Sequence, residues 1–102
     1  MAIAAVSITP IGTGTTSVST YVAAAERALR EEPGLRVELT AMFTLLEGDL
    51  DTIFRAIRRA QEAVVEAGAQ RVSTVIKIDD RRDRHATMEQ KVTRVESLLK
   101  EG

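Results

Sequence analysis

The sequence predicts an α+β fold of order βαββαβα, with a four-stranded antiparallel sheet and two helices on one of its faces. Three observations predict it. Val72 to Asp79 alternate β-branched and polar residues with period two, as a strand requires. Ala2 to Gly34 read as strand, loop and amphipathic helix, and Leu35 to Gly68 read as a strand pair followed by a second amphipathic helix.

At the start of the chain, Ala4, Val6 and Ile8 alternate with Ile3, Ala5, Ser7 and Thr9, a strand that Pro10 ends. Ile11 to Ser17 (IGTGTTS) reads as a loop, because Gly bends sharply and Ser and Thr bond to nearby backbone; Thr16 or Ser17 is placed to cap the next helix. In that helix Val18, Tyr21, Val22, Ala25 and Leu29 recur at helical spacing. Glu26, Arg27 and Arg30 are read as its outer surface, and Pro33-Gly34 stops it.

Leu35 to Gly48 suits two short strands with a tight turn near Ala41-Met42. No Asn-Gly or Asp-Gly marks that turn, so one long bent strand is the alternative. Asp49 or Asp51 then caps a helix with the stripe Leu50, Ile53, Phe54, Ile57, Ala60 and Val64, ending at Gly68. In the strand that follows, Val72, Thr74, Ile76 and Ile78 take the helix side, and Arg71, Ser73, Val75, Lys77 and Asp79 take the other. Past a charged connector, Thr87 and Gln90 form a capping box, and Met88, Val92, Val95 and Leu99 stripe a last helix that needs a surface to lie on. Two right-handed βαβ crossovers joined by a hairpin make the ferredoxin-like plan, in one domain over residues 1–102 with the third helix as an addition.

Of the chain, 44% is apolar but only Tyr21, Phe43 and Phe54 are aromatic, so Ala, Val, Leu and Ile must build a thin, closely packed core. A net charge of -1, from 14 basic and 15 acidic residues, creates no field for nucleic acid or an anionic membrane. RNA-recognition domains share this topology, but they stack bases on aromatics of the bare sheet face; Ala2 to Thr9 and Val72 to Asp79 contain none. The lack of cysteine excludes disulfides, thiolate metal sites and cysteine nucleophiles. Ser7, Thr9 and Pro10 interrupt the apolar start too early for a signal segment or a spanning helix, and a cytoplasmic protein is expected.

The face without helices carries Ile3, Ala5, Ser7, Thr9, Ser73, Val75 and Lys77, a mixed surface that calls for cover. A second subunit's sheet is one cover; a ligand held by Lys77 and the hydroxyls is another, and the two are compatible. Gly12-Thr13-Gly14 follows a strand and opens a helix, as phosphate loops do, but Ser17 stands where a third glycine would be. A plain turn and a ligand contact at Gly12 both remain open. Asp79, beside Lys77, is a candidate ligand contact, as is Glu47; Asp80 is expected to pair with Arg81 or Arg82, and His85 to be a solvated loop residue. No pairing of nucleophile with base and no metal cluster is visible, so a non-enzymatic chain without a cofactor is expected.

Taken together, PIGTGTTSVSTYV (Pro10 to Val22), LTAMFTLLEGD (Leu39 to Asp49), AIRRAQEAVVEAGAQRV (Ala56 to Val72) and IKIDDRRD (Ile76 to Asp83) resemble the small thiamine-binding, YkoF-like family. The resemblance implies a ferredoxin-like domain, assembly into dimers and tetramers, and binding of thiamine or its hydroxymethylpyrimidine part without catalysis. An aminopyrimidine offers N–H donors and ring-nitrogen acceptors beside a cationic thiazolium, so hydroxyls or carboxylates and a flat apolar wall are needed. On this reading Thr9, Ser17, Thr40, Thr44, Glu47 and Asp79 supply the polar contacts, Met42 and Phe43 the wall, and Gly12 and Lys77 complete the set. The expected assembly is a homotetramer built as a dimer of dimers, with the bare sheet face and the last helix at its interfaces. A structural or regulatory oligomerisation domain with no ligand is the alternative.

Overall fold

Seven elements form in the expected order: β1 (Ala2–Pro10), α1 (Ser19–Glu31), β2 (Arg36–Leu39), β3 (Thr44–Gly48), α2 (Leu50–Glu66), β4 (Val72–Asp79) and α3 (Met88–Glu101). The structure is a computed structural model that describes residues 1–101. All strand pairs are antiparallel, in the order β2-β3-β1-β4, which is the ferredoxin-like arrangement with a C-terminal helix added.

The period-two reading holds along β1, and in β4 it is interrupted at Ile76, which is exposed between Val75 and Lys77. Ala2, Ala4 and Val6 of β1 and Leu46 of β3 pack against Ala25, Ala28 and Leu29 of α1 and against Ile53, Ala56, Ile57, Ala60 and Val64 of α2. Alanine at so many contact positions lets both helices approach the sheet closely, as the scarcity of aromatics requires. Phe54 departs from the expected stripe: it is about half exposed, whereas Ala56, outside that stripe, is fully buried in the core.

Helix ends divide between expectation and correction. α2 closes as predicted at Gly68: with φ +120°, that glycine lets its own N–H reach Val65 O at 3.0 Å and the Ala69 N–H reach Val64 O at 3.3 Å. Ala69 is buried against the same core, which anchors the chain entering β4. The expected caps of α1 do not form, however. Its N-cap is Val18, and neither Val18 nor Asp49, the N-cap of α2, makes a side-chain cap bond. The Thr87–Gln90 capping box does form, at 2.9 and 3.2 Å. Among the described residues no helix is long and apolar enough to cross a membrane.

At the C-cap of α1, buried Glu32 accepts bonds from Arg55 Nε at 2.6 Å and Arg59 Nη1 at 3.1 Å, tying α1 to α2. The Arg55 hydrogen bond, helped by Arg59 and opposed by burial, holds the Glu32 carboxyl below its ordinary value near 4.5. A carboxyl whose folded value is depressed contributes stability above its unfolded value and loses it as pH falls through the folded one. Stability measured by urea unfolding should therefore fall with acidity from about the ordinary glutamate value downward, and Glu32→Gln should flatten that decline. Parallel acid limbs in the two proteins would show that the cluster adds no pH-dependent stability.

Candidate functional site

β1 outruns β3. The β1–β3 pairing ends at Val6↔Thr44, whereas β1–β4 continues to Pro10↔Val72. From Ser7 onward the β1 edge thus has no strand beside it on the β3 side. The hairpin turn at residues 40–43, as expected near Ala41-Met42, folds over that gap. Thr40 shapes the turn in place of a glycine: its hydroxyl donates to Phe43 O and accepts the Phe43 N–H at 3.2 Å, while its own N–H bonds Phe43 O at 3.1 Å.

Between this edge, the turn and α1 lies a cavity of about 230 Å³, lined by Ser7, Ile8, Thr9, Val18, Val22, Glu26, Leu39, Thr40, Met42, Phe43 and Thr44 among others. Apolar walls with a few convergent polar groups are what a small-molecule site needs. Among its polar lining residues is Glu26, only 8% exposed. Oε2 accepts a hydrogen bond from the buried Thr44 hydroxyl at 2.9 Å. Oε1 is buried with no hydrogen-bond partner among the described residues; Arg30 Nη2 stands 3.6 Å away, on the solvent side. A buried carboxylate oxygen without a donor is costly and is satisfied by whatever brings an N–H to it.

Glu26 corrects the sequence reading, which set it on the outer surface of α1. The signal was present: Glu26 is four residues after Val22 and three before Leu29, so it falls within the apolar stripe. Of the ten expected contacts, the cavity brings together Thr9, Thr40, Met42, Phe43 and Thr44. It lies on the helix side of the sheet, not on the bare face. Gly12 and Ser17 do not line it. They belong to a loop held by its own bonds, Thr13 Oγ1 to Thr15 O at 3.0 Å and the Ser17 N–H to Thr15 Oγ1 at 3.2 Å, and the positive φ of Gly12 (+78°) serves the bend.

Glu47, Lys77 and Asp79 lie on the bare face. One row across it runs Arg36, Glu47, Ile3, Asp79. The first turn of α3 docks on that row residue by residue: Glu89 pairs with Arg36, the Met88 N–H bonds Glu47 Oε1 at 2.6 Å, and Lys91 pairs with Asp79. The Lys91 hydrogen bond holds the Asp79 carboxyl below its ordinary value, and Arg36 does the same for Glu89. Glu47 and Asp79 therefore hold a helix in place. Lys77, one row further on, is exposed, as is Val75 beside it.

A profile of the family described as "Thiamine-binding protein" matches residues 4–96. UPF0045 protein YqgV of Bacillus subtilis is 46% identical over 102 residues, covering 97% of this chain and 98% of that one. The solved structure of the hypothetical protein MJ1052 from Methanocaldococcus jannaschii superposes with a TM-score of 0.85 at 40% identity, over 92% of this chain and 94% of that one. A putative thiamine biosynthesis/salvage protein, TM0486 of Thermotoga maritima, shares the fold at a TM-score of 0.73 and 19% identity, over 92% and 97%. The extent of the family match and of the identity to YqgV places this chain in the thiamine-binding protein family.

Proposed function

We propose that this chain is a non-enzymatic small-molecule binder that holds thiamine, or its hydroxymethylpyrimidine moiety, in the Glu26 cavity, and that it works as a homo-oligomer. One observation carries the reading: Glu26, which lines a mainly apolar cavity, has a buried carboxylate oxygen without a hydrogen-bond donor, in a chain of this family. An aminopyrimidine ring carries an exocyclic amine and, when protonated, a ring N–H, a pair of donors that matches a carboxylate's two oxygens. Thr44 leaves Oε2 a second lone pair for this, and the Thr9 hydroxyl can donate to the remaining ring nitrogen, while Thr40 Oγ1, whose proton goes to Phe43 O, can accept from the hydroxymethyl group.

The cavity sits below the roughly 300–1,000 Å³ of drug-sized sites, so a single ring fits inside and the rest of thiamine lies at the mouth. There Met42, 79% exposed, Leu39 and Val22 form an apolar shoulder. Titration calorimetry with hydroxymethylpyrimidine, thiamine and their phosphates tests the reading. Saturable heat with the first two is expected. No heat at millimolar concentration with any of them would remove the ligand and leave the fold untouched.

Assembly is argued from what the chain leaves bare. Met88 is the one buried residue of α3, while Val92, Val95, Leu98 and Leu99 are exposed along it, and Val75 is 55% exposed on the sheet. Other copies of the chain are the proposed cover for both surfaces, giving a tetramer built from dimers.

A further inference from the structure

The connector between β4 and α3, Asp80 to Thr87, contains the densest run of charge in the chain and has no part in the Glu26 cavity. Most of its charges pair within the run. Arg82 reaches Asp80 at 2.8 Å, and Arg81 clasps Asp83 through Nε at 2.6 Å and Nη2 at 2.9 Å. Arg84 has no such partner among the described residues, and neither has Arg94 on α3.

These two guanidinium groups belong to different elements, yet both line one cleft of about 220 Å³ at the base of α3, together with Arg81, Lys91, Gln90 and Asp79. Ile3, Met1 and Ala86 make its apolar walls. Of the four cations there, Lys91 pairs with Asp79 and Arg81 with Asp83, which leaves Arg84 and Arg94 uncompensated. In a chain whose net charge is -1, that is a local excess of positive charge which the rest of the molecule does not require. Like charges brought together from two elements repel, and a multiply charged anion bridging them offsets the repulsion. The site is built from side chains and not from the helix end, because three of the first four N–H groups of α3 are taken: Met88 by Glu47, Gln90 by the Thr87 hydroxyl and Lys91 by Thr87 O.

We propose that this cleft is a second binding site, separate from the Glu26 cavity, that takes the phosphate group of a small molecule, with Arg84 and Arg94 as its principal ligands and Gln90 as a neutral donor. Planar guanidinium forks suit phosphate oxygens, and the apolar walls formed by Ile3 and Ala86 favour an ester over the free ion.

Calorimetric titration of the whole chain with inorganic phosphate, pyrophosphate and phenyl phosphate, at constant ionic strength set with chloride, tests this. Saturable binding is expected, tightest for phenyl phosphate if the walls contribute. Loss of both guanidiniums in R84A/R94A should weaken binding by about a hundredfold or more, since each charge-assisted bond removed is worth about tenfold. Arg58→Ala, an exposed arginine on α2, should bind like the parent. Amide NMR shifts in the parent provide a check that needs no variant: they should move at Gln90, Lys91 and Arg94 and not around Glu26. Absence of saturable binding at millimolar phosphate, equal binding by R84A/R94A, or shifts confined elsewhere would each overturn the proposal. Phosphate equal to phenyl phosphate would retain the site and assign it to the free ion.

Discussion

Glu26→Gln should weaken binding of hydroxymethylpyrimidine by about 10- to 100-fold, because a hydrogen bond to a charged group contributes about 1.5–3 kcal/mol and the variant loses the charge and one acceptor oxygen. Glutamine keeps the size of the side chain and an oxygen for the Thr44 hydroxyl, which now bonds Oε2 at 2.9 Å. Folding should not suffer in the same way. The parent buries an oxygen with no hydrogen-bond donor, and the half-exposed Arg30 pair at 3.6 Å offsets part of that cost, so removing the charge should change stability little. Calorimetry and urea unfolding on the same two proteins separate the effects. Reduced affinity with retained stability identifies Glu26 as a binding residue; unchanged affinity would remove it from the site, and parallel loss of both would make it a structural residue.

Val75→Glu should shift the protein toward smaller species in light scattering. Val75 stands on the bare sheet face opposite Ser7, one register step from the Ala5–Lys77 pair, and it is more than half exposed within a single copy. A specific interface buries about 800 Å² per partner, and in a two-fold contact each substitution is met twice, so two carboxylates would enter one sheet-to-sheet contact. Burying an unpaired charge is far more costly than losing a valine contact. Because a domain of this size is stable by only about 5–15 kcal/mol, the variant should also unfold at lower urea if assembly supports folding. Unchanged mass together with unchanged stability would show that this face is not an interface.

Much of the fold was legible in the sequence because its signals are local. Period-two alternation identified β1 and β4 and their faces, the Thr87–Gln90 pair identified the start of α3, and Gly68 identified the end of α2. Each of these is set by backbone geometry over a few residues, and the quoted motifs carried the family resemblance that the comparisons bear out. The caps expected at Thr16 or Ser17 fell short for a local reason too, since Thr15 engages the Ser17 N–H within the loop.

The tertiary structure decided what those elements meet. Thr44 is 18 residues from Glu26, and the β1–β3 register brings it beside α1, where it bonds a carboxylate that reads as surface in the sequence and lines a cavity in the fold. The same register ends at Val6 and leaves the overhang of β1 that makes room for the site, which gathers Thr9, Thr40, Met42 and Thr44 but not Gly12 or Ser17. Glu47 and Asp79 are drawn instead to the first turn of α3, whose matching charges come from more than ten residues further along the chain. Periodicity tells a residue which way to face; which charge or hydroxyl it finds there depends on strand order and register, and these are settled by long-range packing of the whole core.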